Sequence, residues 1–269
     1  MLNRSRPTVA DIRANKGKRQ MTMVHIENRE EARACAAAGI DVLSIETPIW
    51  DAGMREAAGD TFVQVGLQYG QLQTTDDYLR GAHDAMQIGG DCCYCAASIQ
   101  IIERLSAEGV PIVGHVGLIP ARRTWTGGFK AVGKTAASAR EVWDHVKRLE
   151  AIGCFGAELE VVPDRIAELI TRNTPLIMLG MGAGPHADSQ YLFSEDVLGH
   201  TSGHRPRHAK TYRNFAAEYE RLQNERIAAF SEFVADVRSG AYPSPRHLVG
   251  IAAAELENFT QSLPASRER

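Results

Sequence analysis

Four predicted helices end directly at a glycine, and an apolar segment typical of a β-strand follows each of them. The four glycines are Gly39, Gly89, Gly109 and Gly153. Glycine ends helices in this way because it adopts the left-handed backbone conformation without steric cost. Repetition of this helix–glycine–strand unit predicts an α/β fold with parallel strands that are buried on both faces.

Eight segments are rich in apolar or β-branched residues and are interpreted as strands. They are Met21–Ile26, Asp41–Ile45, Thr61–Gly66, Asp91–Cys95, Pro111–His115, Phe155–Glu160, Pro175–Gly180 and, with the weakest pattern, Asp196–His200. The helices predicted between them are Arg29–Ala38, Thr75–Ile88, Ser98–Glu108, Ala136–Ile152 and Pro163–Arg172. Eight strands in a chain of 269 residues favour a closed (β/α)8 TIM barrel. An open doubly wound sheet is the alternative, although no Gly-x-Gly-x-x-Gly turn follows the first strand to support dinucleotide binding.

Two further helices are predicted after the barrel, over Thr211–Ser239 and Leu248–Leu256 or slightly beyond. No linker divides the chain. Residues 1–269 are therefore interpreted as one barrel domain with a C-terminal helical extension over 211–269. Appended helices usually pack outside a barrel or on a neighbouring subunit, so we expect a homo-oligomer.

The composition excludes several classes of protein. With 44% hydrophobic and 23% charged residues, the chain is typical of a globular protein. A net charge of −3 without a Lys/Arg cluster gives no electrostatic footprint for nucleic acid. No run of 18 apolar residues and no apolar segment at the N-terminus occur, which predicts a soluble, cytoplasmic protein that spans no membrane. The five cysteines are accordingly expected to be reduced.

Barrel enzymes carry out their chemistry at the carboxyl ends of the strands. His115 ends an apolar strand there, and period-2 alternation places Glu158 and Glu160 on one face of the next. A carboxylate that faces a barrel interior is costly unless it is paired or functional. Glu160 and His115 are therefore the candidate catalytic residues, and an ion-paired or purely structural role is the alternative for each. The other strand-end candidates are His25, Glu27, Glu46, Thr47, Gly66–Gln68, Tyr94–Ala96, Gly180–Gly184 and His200–His204.

Three motifs have a functional and a structural interpretation. The loop Gly180–Gly184 could bind an anion through backbone N–H groups, or it could be a tight turn. The run Cys92, Cys93 and Cys95 lacks metal-ligand spacing, so buried thiols are favoured, with Cys92 facing the barrel interior. His200, His204 and His208 are four residues apart, but the intervening Gly203 and Pro206 favour loop histidines over a metal site.

Five motifs between residues 110 and 216 occur in the order found in one enzyme family. They are Gly-His-Val-Gly-Leu-Ile-Pro at 114–120, Gly-Gly-Phe-Lys at 127–130 with Gly133, Leu-Glu-Val-Val-Pro at 159–163, Gly-Ala-Gly-Pro-His-Ala-Asp-Ser-Gln at 182–190, and Gly-His-Arg-Pro-Arg-His-Ala-Lys at 203–210. These segments resemble motifs of the ketopantoate hydroxymethyltransferases, and residues 8–109 resemble that family more loosely.

The resemblance implies a (β/α)8 barrel, commonly in a decamer of two pentameric rings. It also implies transfer of a hydroxymethyl group from 5,10-methylenetetrahydrofolate to 3-methyl-2-oxobutanoate, on the route to pantothenate. In the family, Mg²⁺ chelates the 2-oxo acid and acidifies its C3 proton. By position, Glu160 would be the base that removes this proton, and His115 would hydrogen-bond the substrate.

The chain departs from the family at four strand ends. Where the family has Gly-Asp-Ser with a metal-binding aspartate, this chain has Glu46-Thr-Pro. The second metal aspartate falls at or near Gly66, the Lys-x-Glu of the fourth strand falls on Tyr94–Ala96, and an early Thr-x-Tyr-Asp falls on His25–Glu27. Replacement of the aspartates argues against metal binding, although Glu46 could supply one oxygen ligand and Gln68 a neutral one.

Three functions follow from these observations. The first is a divergent family enzyme with aldol-type chemistry on a small 2-oxo acid or related carboxylate, in which Glu160 is the base and His115 polarises the carbonyl. Its substrate would be bound by Glu46, Thr47, Gln68, Tyr94, Gly182 and Gly184. The second is a genuine 3-methyl-2-oxobutanoate hydroxymethyltransferase. The third is a catalytically silent paralogue that binds a small acid.

Overall fold

Eight parallel strands close into a barrel in the order in which they occur along the chain. The computed structural model describes residues 6–264. Its strands are β1 (Met21–His25), β2 (Val42–Glu46), β3 (Phe62–Gly66), β4 (Cys92–Tyr94), β5 (Ile112–Gly117), β6 (Gly156–Glu160), β7 (Ile177–Met181) and β8 (Ser189–Phe193). The predicted TIM barrel is therefore confirmed, and the open sheet is excluded because β8 pairs with β1.

The described helices alternate with the strands, except between β7 and β8, and continue beyond the barrel. They are α1 (Val9–Ala14), α2 (Arg29–Ala38), α3 (Ala52–Ala57), α4 (Thr75–Ile88), α5 (Ile99–Ala107), α6 (Ala136–Ala151), α7 (Asp164–Arg172), α8 (Ser194–Leu198), α9 (Phe215–Ser239) and α10 (Ala253–Ser262). The four glycines predicted to end helices have positive φ angles, 78° at Gly39, 108° at Gly89, 80° at Gly109 and 91° at Gly153. The four glycines therefore mark the ends of these helices, as the sequence predicts.

The eighth strand was predicted at the wrong position. β8 is Ser189–Phe193, whereas Asp196–His200 lies mostly in α8 and its C-terminal turn at Gly199. Ser189 and Gln190 give β8 a polar start, which hides its strand character. Asp196 is buried, and its carboxylate accepts a hydrogen bond from the Thr201 hydroxyl, which offsets the cost of burying it. A segment with this polar residue can therefore lie inside the protein.

The two C-terminal helices begin later than predicted. Residues 211–214 are not helical, because Thr211 and Tyr212 instead hydrogen-bond to the backbone carbonyls of Asp196 and Val197. The last helix begins at Ala253 rather than Leu248, after Gly250.

Apolar side chains form two separate layers. The inner layer fills the barrel and includes Phe62, Cys92, Val113 and Ile177. Ile12 of α1 belongs to the same cluster, so α1 closes the end of the barrel at which the strands begin. The outer layer lies between strands and helices and contains Cys93, Cys95, Leu149 and Leu159, among others. The prediction that Cys92 alone of its run faces the interior is confirmed.

The chain divides into two compact units, and the boundary lies between Asn214 and Phe215. The first unit contains the barrel and the second contains α9 and α10. The interpretation as one domain with an extension from residue 211 stays a prediction. Among residues 6–264, no helix combines the length and apolar character that a membrane span requires. Residues 1–5, which begin the N-terminus expected to lack an apolar segment, lie outside the described part of the chain.

Gly117, the last residue of β5, lies against β6 at a point where no side chain fits. Its φ is 86°, and an added Cβ would overlap the carbonyl oxygen of Glu160 on β6. We expect Gly117→Ala to lower the free energy of unfolding by about 2–5 kcal/mol, from backbone strain and overpacking together. Gly109→Ala is the matched control, because φ is 80° there but no atom lies within 4 Å of the added Cβ. It should cost about 1–2 kcal/mol in urea unfolding. Equal losses for the two variants would contradict the close β5–β6 contact.

Candidate active site

His115 lies inside β5 and both of its ring nitrogens have protein partners. The residue is 3% exposed, its Nε2 lies 2.7 Å from the carbonyl oxygen of Leu118, and its Nδ1 lies 2.7 Å from Tyr94 Oη. A carbonyl oxygen only accepts hydrogen bonds, so Nε2 carries a proton and donates it to Leu118. The strand continues two residues beyond the predicted end at His115, because Val116 and Gly117 pair with β6.

Glu158 and Glu160 lie on the same face of β6 and both approach His115, as their alternation predicts. Glu158 Oε2 is 3.5 Å from His115 Nδ1, and Glu160 Oε2 is 3.3 Å from His115 Nε2. The strand register produces this arrangement, since His115 pairs with Glu158 and Gly117 pairs with Glu160. One imidazole is therefore shared between two carboxylates in the barrel interior.

Burial and charge set the protonation of this group. Burial raises the pKa of Glu158 to about 7, although His115 and a hydrogen bond from Gln64 Nε2 at 2.8 Å favour its ionised form. Burial opposes a charged imidazole, but the hydrogen bond to Glu160 and the charges of Glu158 and Glu160 outweigh it and raise the pKa of His115. The cluster of His115, Glu158 and Glu160 therefore holds a proton that can be exchanged near neutral pH.

Glu46 occupies space that the absent side chain of Gly66 leaves open. A Cβ on Gly66 would lie 2.6 Å from Glu46 Oε1. The two residues are direct partners in the pairing of β2 with β3. Burial raises the pKa of Glu46. The longer carboxylate at position 46 and the glycine at position 66 are therefore sterically matched.

A cavity of about 370 Å³ opens beside Glu46 and Tyr94. Gln68 also lines it, and Gln68 Oε1 is buried without a hydrogen-bond partner among the described residues. A small acid fits a cavity of this size. The cavity-lining residues are Glu46, Leu67, Gln68, Tyr69, Gln71, Tyr94, Ala96, Ile119, Pro120 and Ala121.

Aromatic rings occupy the ends of β8 and β1. Tyr191 and Phe193 of β8 stack with centroids 5.7 Å apart, and His25 of β1 lies 4.9 Å from Phe193. Burial lowers the pKa of His25 to about 4, so this imidazole is neutral at pH 7. These rings give one side of the barrel an uncharged, aromatic lining.

The other predicted substrate-binding residues do not line the described cavity. Thr47 begins a short 3-10 helix, Thr47–Ile49, directly after Glu46. Gly182 and Gly184 have φ angles of 64° and 82°, and an added Cβ would lie 2.6 Å from His208 Nδ1 and 2.5 Å from Asp164 Cβ, respectively. Close packing thus accounts for the glycines of this turn, and anion binding there stays a prediction.

Gln64 was not singled out from the sequence, and His208 was considered there only as one of three histidines weighed as a metal site. Gln64, in the middle of β3, is fully buried and donates to Glu158. A glutamine within an otherwise apolar strand is the signal that indicates such a role. His208 packs on Gly182 and is close enough to Glu160 for their charges to interact, although burial lowers the pKa of His208. No local pattern in the sequence brings His208 to the strand ends.

Side chains of the types that bind metals form no cluster in the described part of the chain. Within residues 6–264, no three or more His, Cys, Asp or Glu side chains are arranged to hold a metal ion. This finding includes the trio His200, His204 and His208. All five cysteines are free thiols, in agreement with the expected reduced state.

Comparison with known proteins gives consistent results. The family model described as ketopantoate hydroxymethyltransferase matches residues 52–245. The 3-methyl-2-oxobutanoate hydroxymethyltransferase of Thermus thermophilus is 31% identical over 266 residues, which cover 90% of this chain and 99% of the relative. The 3-methyl-2-oxobutanoate hydroxymethyltransferase 2 of Hahella chejuensis is 35% identical over 207 residues, 74% of each chain.

A solved structure supports the fold alone. A putative phosphonomutase from Burkholderia cenocepacia J2315 superposes with a TM-score of 0.50 and 13% identity, over 84% of this chain and 99% of that one. Similarity at this level of identity says nothing about a shared substrate.

The raised pKa of Glu158 makes stability depend on pH in a defined window. Its value rises from 4.5 to about 7 on folding, so its stabilising contribution is complete below pH 4.5 and is lost as the pH rises through about 7. The wild type should lose unfolding free energy between pH 4.5 and about 7, and we expect Glu158→Gln to reduce this loss by on the order of 3 kcal/mol. The measurement is urea unfolding across that range.

The control for this prediction is Glu103→Gln, which changes an exposed glutamate of α5. The pH dependence of this variant should follow that of the wild type. If Glu158→Gln also followed the wild type, Glu158 would not be a group that folding keeps protonated.

Proposed function

Because the chain belongs to the ketopantoate hydroxymethyltransferase family, we propose that it forms or breaks a carbon–carbon bond next to the carbonyl group of a small 2-oxo acid. The observation that carries this proposal is the position of Glu160 at the end of β6, with Oε2 3.3 Å from His115 Nε2. A carboxylate beside a protonated imidazole is an acid–base pair of the kind that such a reaction needs.

Glu160 is the proposed base. It removes the proton from the carbon adjacent to the carbonyl, and the electron pair left behind becomes an enolate. Its side chain is 10% exposed and is not among those that line the described cavity, so the substrate must extend from the cavity to the end of β6 to reach it. The adjacent Val161 has a φ of 49°, a strained value for a β-branched residue, and this strain fixes the chain direction directly after the base.

His115 supplies the opposite charge. Its imidazolium places positive charge beside the base and so stabilises the developing enolate. Glu158, itself held by Gln64, contacts the other nitrogen of the ring and keeps the charge inside the barrel. The pair Glu160 and His115 therefore separates the roles of base and acid.

The residues at the cavity fit one hard cation with few protein ligands. Mg²⁺ prefers oxygen ligands, commonly binds through one or two carboxylates and keeps several waters. Glu46 and Gln68 would hold it, since Glu46 is an ionisable carboxylate and Gln68 Oε1 is a buried acceptor without a partner in the described part of the chain. When bound, the cation supplies positive charge for the keto and carboxylate oxygens of the substrate.

The family resemblance also implies 5,10-methylenetetrahydrofolate as the one-carbon donor. The described cavity of about 370 Å³ accounts for the small acid alone. We therefore assign no residue to the folate and derive no step through it.

A genuine 3-methyl-2-oxobutanoate hydroxymethyltransferase is the second candidate. The alignment with the Thermus thermophilus enzyme of that name favours it, because it covers 99% of that relative. A catalytically silent paralogue that binds a small acid is the third, and the absence of any turnover would favour it.

We further propose a homo-oligomer, with the family decamer as its expected form, located in the cytoplasm. Large apolar side chains on α9 support the oligomer, because Ile227, Phe230 and Phe233 are all more than half exposed. Apolar surface of this extent in one helix is typical of an interface. The small 2-oxo acid is the remaining partner that we propose.

Replacement of the base should abolish enolisation. In deuterium oxide, 3-methyl-2-oxobutanoate and related 2-oxo acids should exchange the proton at C3, which proton NMR detects as loss of its coupling. Glu160→Gln should lower the exchange rate by about 1,000-fold or more, since it removes the base and keeps the shape. The exposed-site variant Glu103→Gln should retain the rate. Folate-dependent production of ketopantoate would establish the second candidate, and exchange that survives Glu160→Gln would exclude Glu160 as the base.

Metal binding can be measured without turnover. Mn²⁺ is a paramagnetic substitute for Mg²⁺, and its free concentration can be followed by electron paramagnetic resonance. Glu46→Gln should weaken Mn²⁺ binding by about tenfold or more, because one charge-assisted ligand is lost. Glu27→Gln, an exposed change near the end of β1, should bind Mn²⁺ like the wild type. Equal affinity in wild type and Glu46→Gln would show that Glu46 is not a ligand.

A further inference from the structure

Tyr94 lies between the cavity and the buried cluster of His115, Glu158 and Glu160. Its side chain lines the cavity, and its Oη lies 2.7 Å from His115 Nδ1. The tyrosine and histidine rings meet edge to face, with centroids 5.8 Å apart. Neither His115, which is 3% exposed, nor Glu160 lines this cavity, so a substrate seated against Tyr94 must extend beyond the cavity to meet Glu160. A ligand in the cavity therefore contacts Tyr94, and His115 lies behind it.

The hydrogen bonds of His115 determine the direction in which Tyr94 donates. Nε2 donates to the Leu118 carbonyl in either charge state. When His115 is neutral, Nδ1 is an acceptor and Tyr94 Oη must donate to it. When His115 is protonated, Nδ1 donates to Oη, and the phenolic proton is released from this bond. The released proton can then point only to another acceptor, and the cavity is where an acceptor can enter.

We propose that Tyr94 is a catalytic residue that presents its phenolic proton to an oxygen of the substrate, and that His115 acts behind it as a positioning and proton-supplying residue. The inference rests on the proposed function and names the group that carries out its acid half. The substrate class is a small 2-oxo acid whose carbonyl oxygen accepts the hydrogen bond from Oη.

The proton transfers balance in one step. Glu160 takes the proton from the carbon next to the carbonyl, and the electron pair of the broken C–H bond moves to form the enolate. The phenolic proton of Tyr94 moves to the enolate oxygen, and the Nδ1 proton of His115 moves to Tyr94 Oη. The products are the neutral enol, a protonated Glu160 and a neutral His115, so the total charge is unchanged.

The surroundings of Tyr94 favour this relay. Burial first, and then the carboxylates of Glu158, Glu160 and Glu46, raise the pKa of Tyr94 well above its usual value. The phenol by itself is consequently a poor acid. It can give up its proton only as it receives another, and the donor in contact with it is the imidazolium at 2.7 Å.

The first test uses the same exchange of the C3 proton in deuterium oxide. Tyr94→Phe keeps the ring but removes the hydroxyl, and the exchange rate should fall by about 100-fold or more. Tyr78→Phe is the matched control, because Tyr78 is a buried tyrosine that lies in α4, in the outer layer. It should exchange at the wild-type rate. His115→Asn and the double variant with Tyr94→Phe complete a cycle. The double variant should be no slower than the slower single variant, because the two groups act as a unit.

The second test does not depend on turnover. Oxalate is a planar dianion that resembles the enolate of a 2-oxo acid, and calorimetry measures its binding. Tyr94→Phe should weaken oxalate binding by about tenfold or more, and Tyr78→Phe should not. Circular dichroism confirms that each variant is folded.

The outcomes separate the two proposals. If the wild type exchanges the C3 proton and Tyr94→Phe does so at an unchanged rate, Tyr94 is not the acid, whereas the proposed function stands. If the wild type binds oxalate through Tyr94 but exchanges no C3 proton, the contact with the ligand stands and the proposed reaction fails. Oxalate binding that Tyr94→Phe leaves unchanged overturns the role of Tyr94. Multiplicative losses in the Tyr94 and His115 cycle overturn the relay.

Discussion

The pairing of β5 with β6 places one imidazole between two carboxylates inside a closed barrel, and the site depends on this contact. His115 is fixed by Glu158 at one ring nitrogen and by Glu160 and the Leu118 carbonyl at the other. A buried charge is costly unless hydrogen bonds surround it, and here each nitrogen of the ring has a partner. Each of these contacts holds the imidazole in place, so the packing of the barrel interior and the geometry of the candidate site depend on the same interactions.

The backbone around this contact is equally constrained. Gly117 allows β5 to approach the Glu160 carbonyl, which accepts a hydrogen bond from the Leu118 N–H at 2.9 Å. On the other strand, Val161 is held at a φ of 49°, and its N–H donates to the Met181 carbonyl of β7 at 2.8 Å. Two adjacent strand ends therefore leave the barrel in strained or glycine-dependent conformations, and Glu160 lies where they meet.

Much of the fold could be predicted because it is encoded locally. Gly39, Gly89, Gly109 and Gly153 mark the helix ends in the sequence, and seven strands follow from apolar runs of the right length. β8 could not be found in this way, since its first residues are polar and its pairing with β1 joins opposite ends of the barrel sequence. Its place is fixed by closure of the barrel, which is a property of the whole sheet.

The site could be predicted only in part, for a similar reason. Alternation along one strand brings Glu158 and Glu160 to a common face, and this much could be predicted from the sequence. The contacts of Gln64 with Glu158 and of His208 with Gly182 join residues from distant segments. The bond between Tyr94 and His115 likewise crosses from β4 to β5, and it alters the interpretation of His115 from a group that touches the substrate to one that acts through a neighbour.

The steric match of Glu46 and Gly66 extends this reasoning to the departures from the family. Losing a carboxylate at one strand end and lengthening another would, if independent, leave a void or a clash. Instead, the Glu46 carboxylate occupies the volume where a Cβ at position 66 would stand. Tyr94 occupies the strand end next to Gly66, since β3 and β4 pair these two residues.

Glu46, Gly66 and Tyr94 are thus neighbours across β2, β3 and β4, and together they reshape one wall of the site. The part of the barrel formed by β5 and β6 holds His115 and Glu160, which lie in two of the segments that resemble the family motifs. A barrel tolerates such a change because each strand end projects from a rigid scaffold, so the residues on one side of the site can differ while those on the other side are kept.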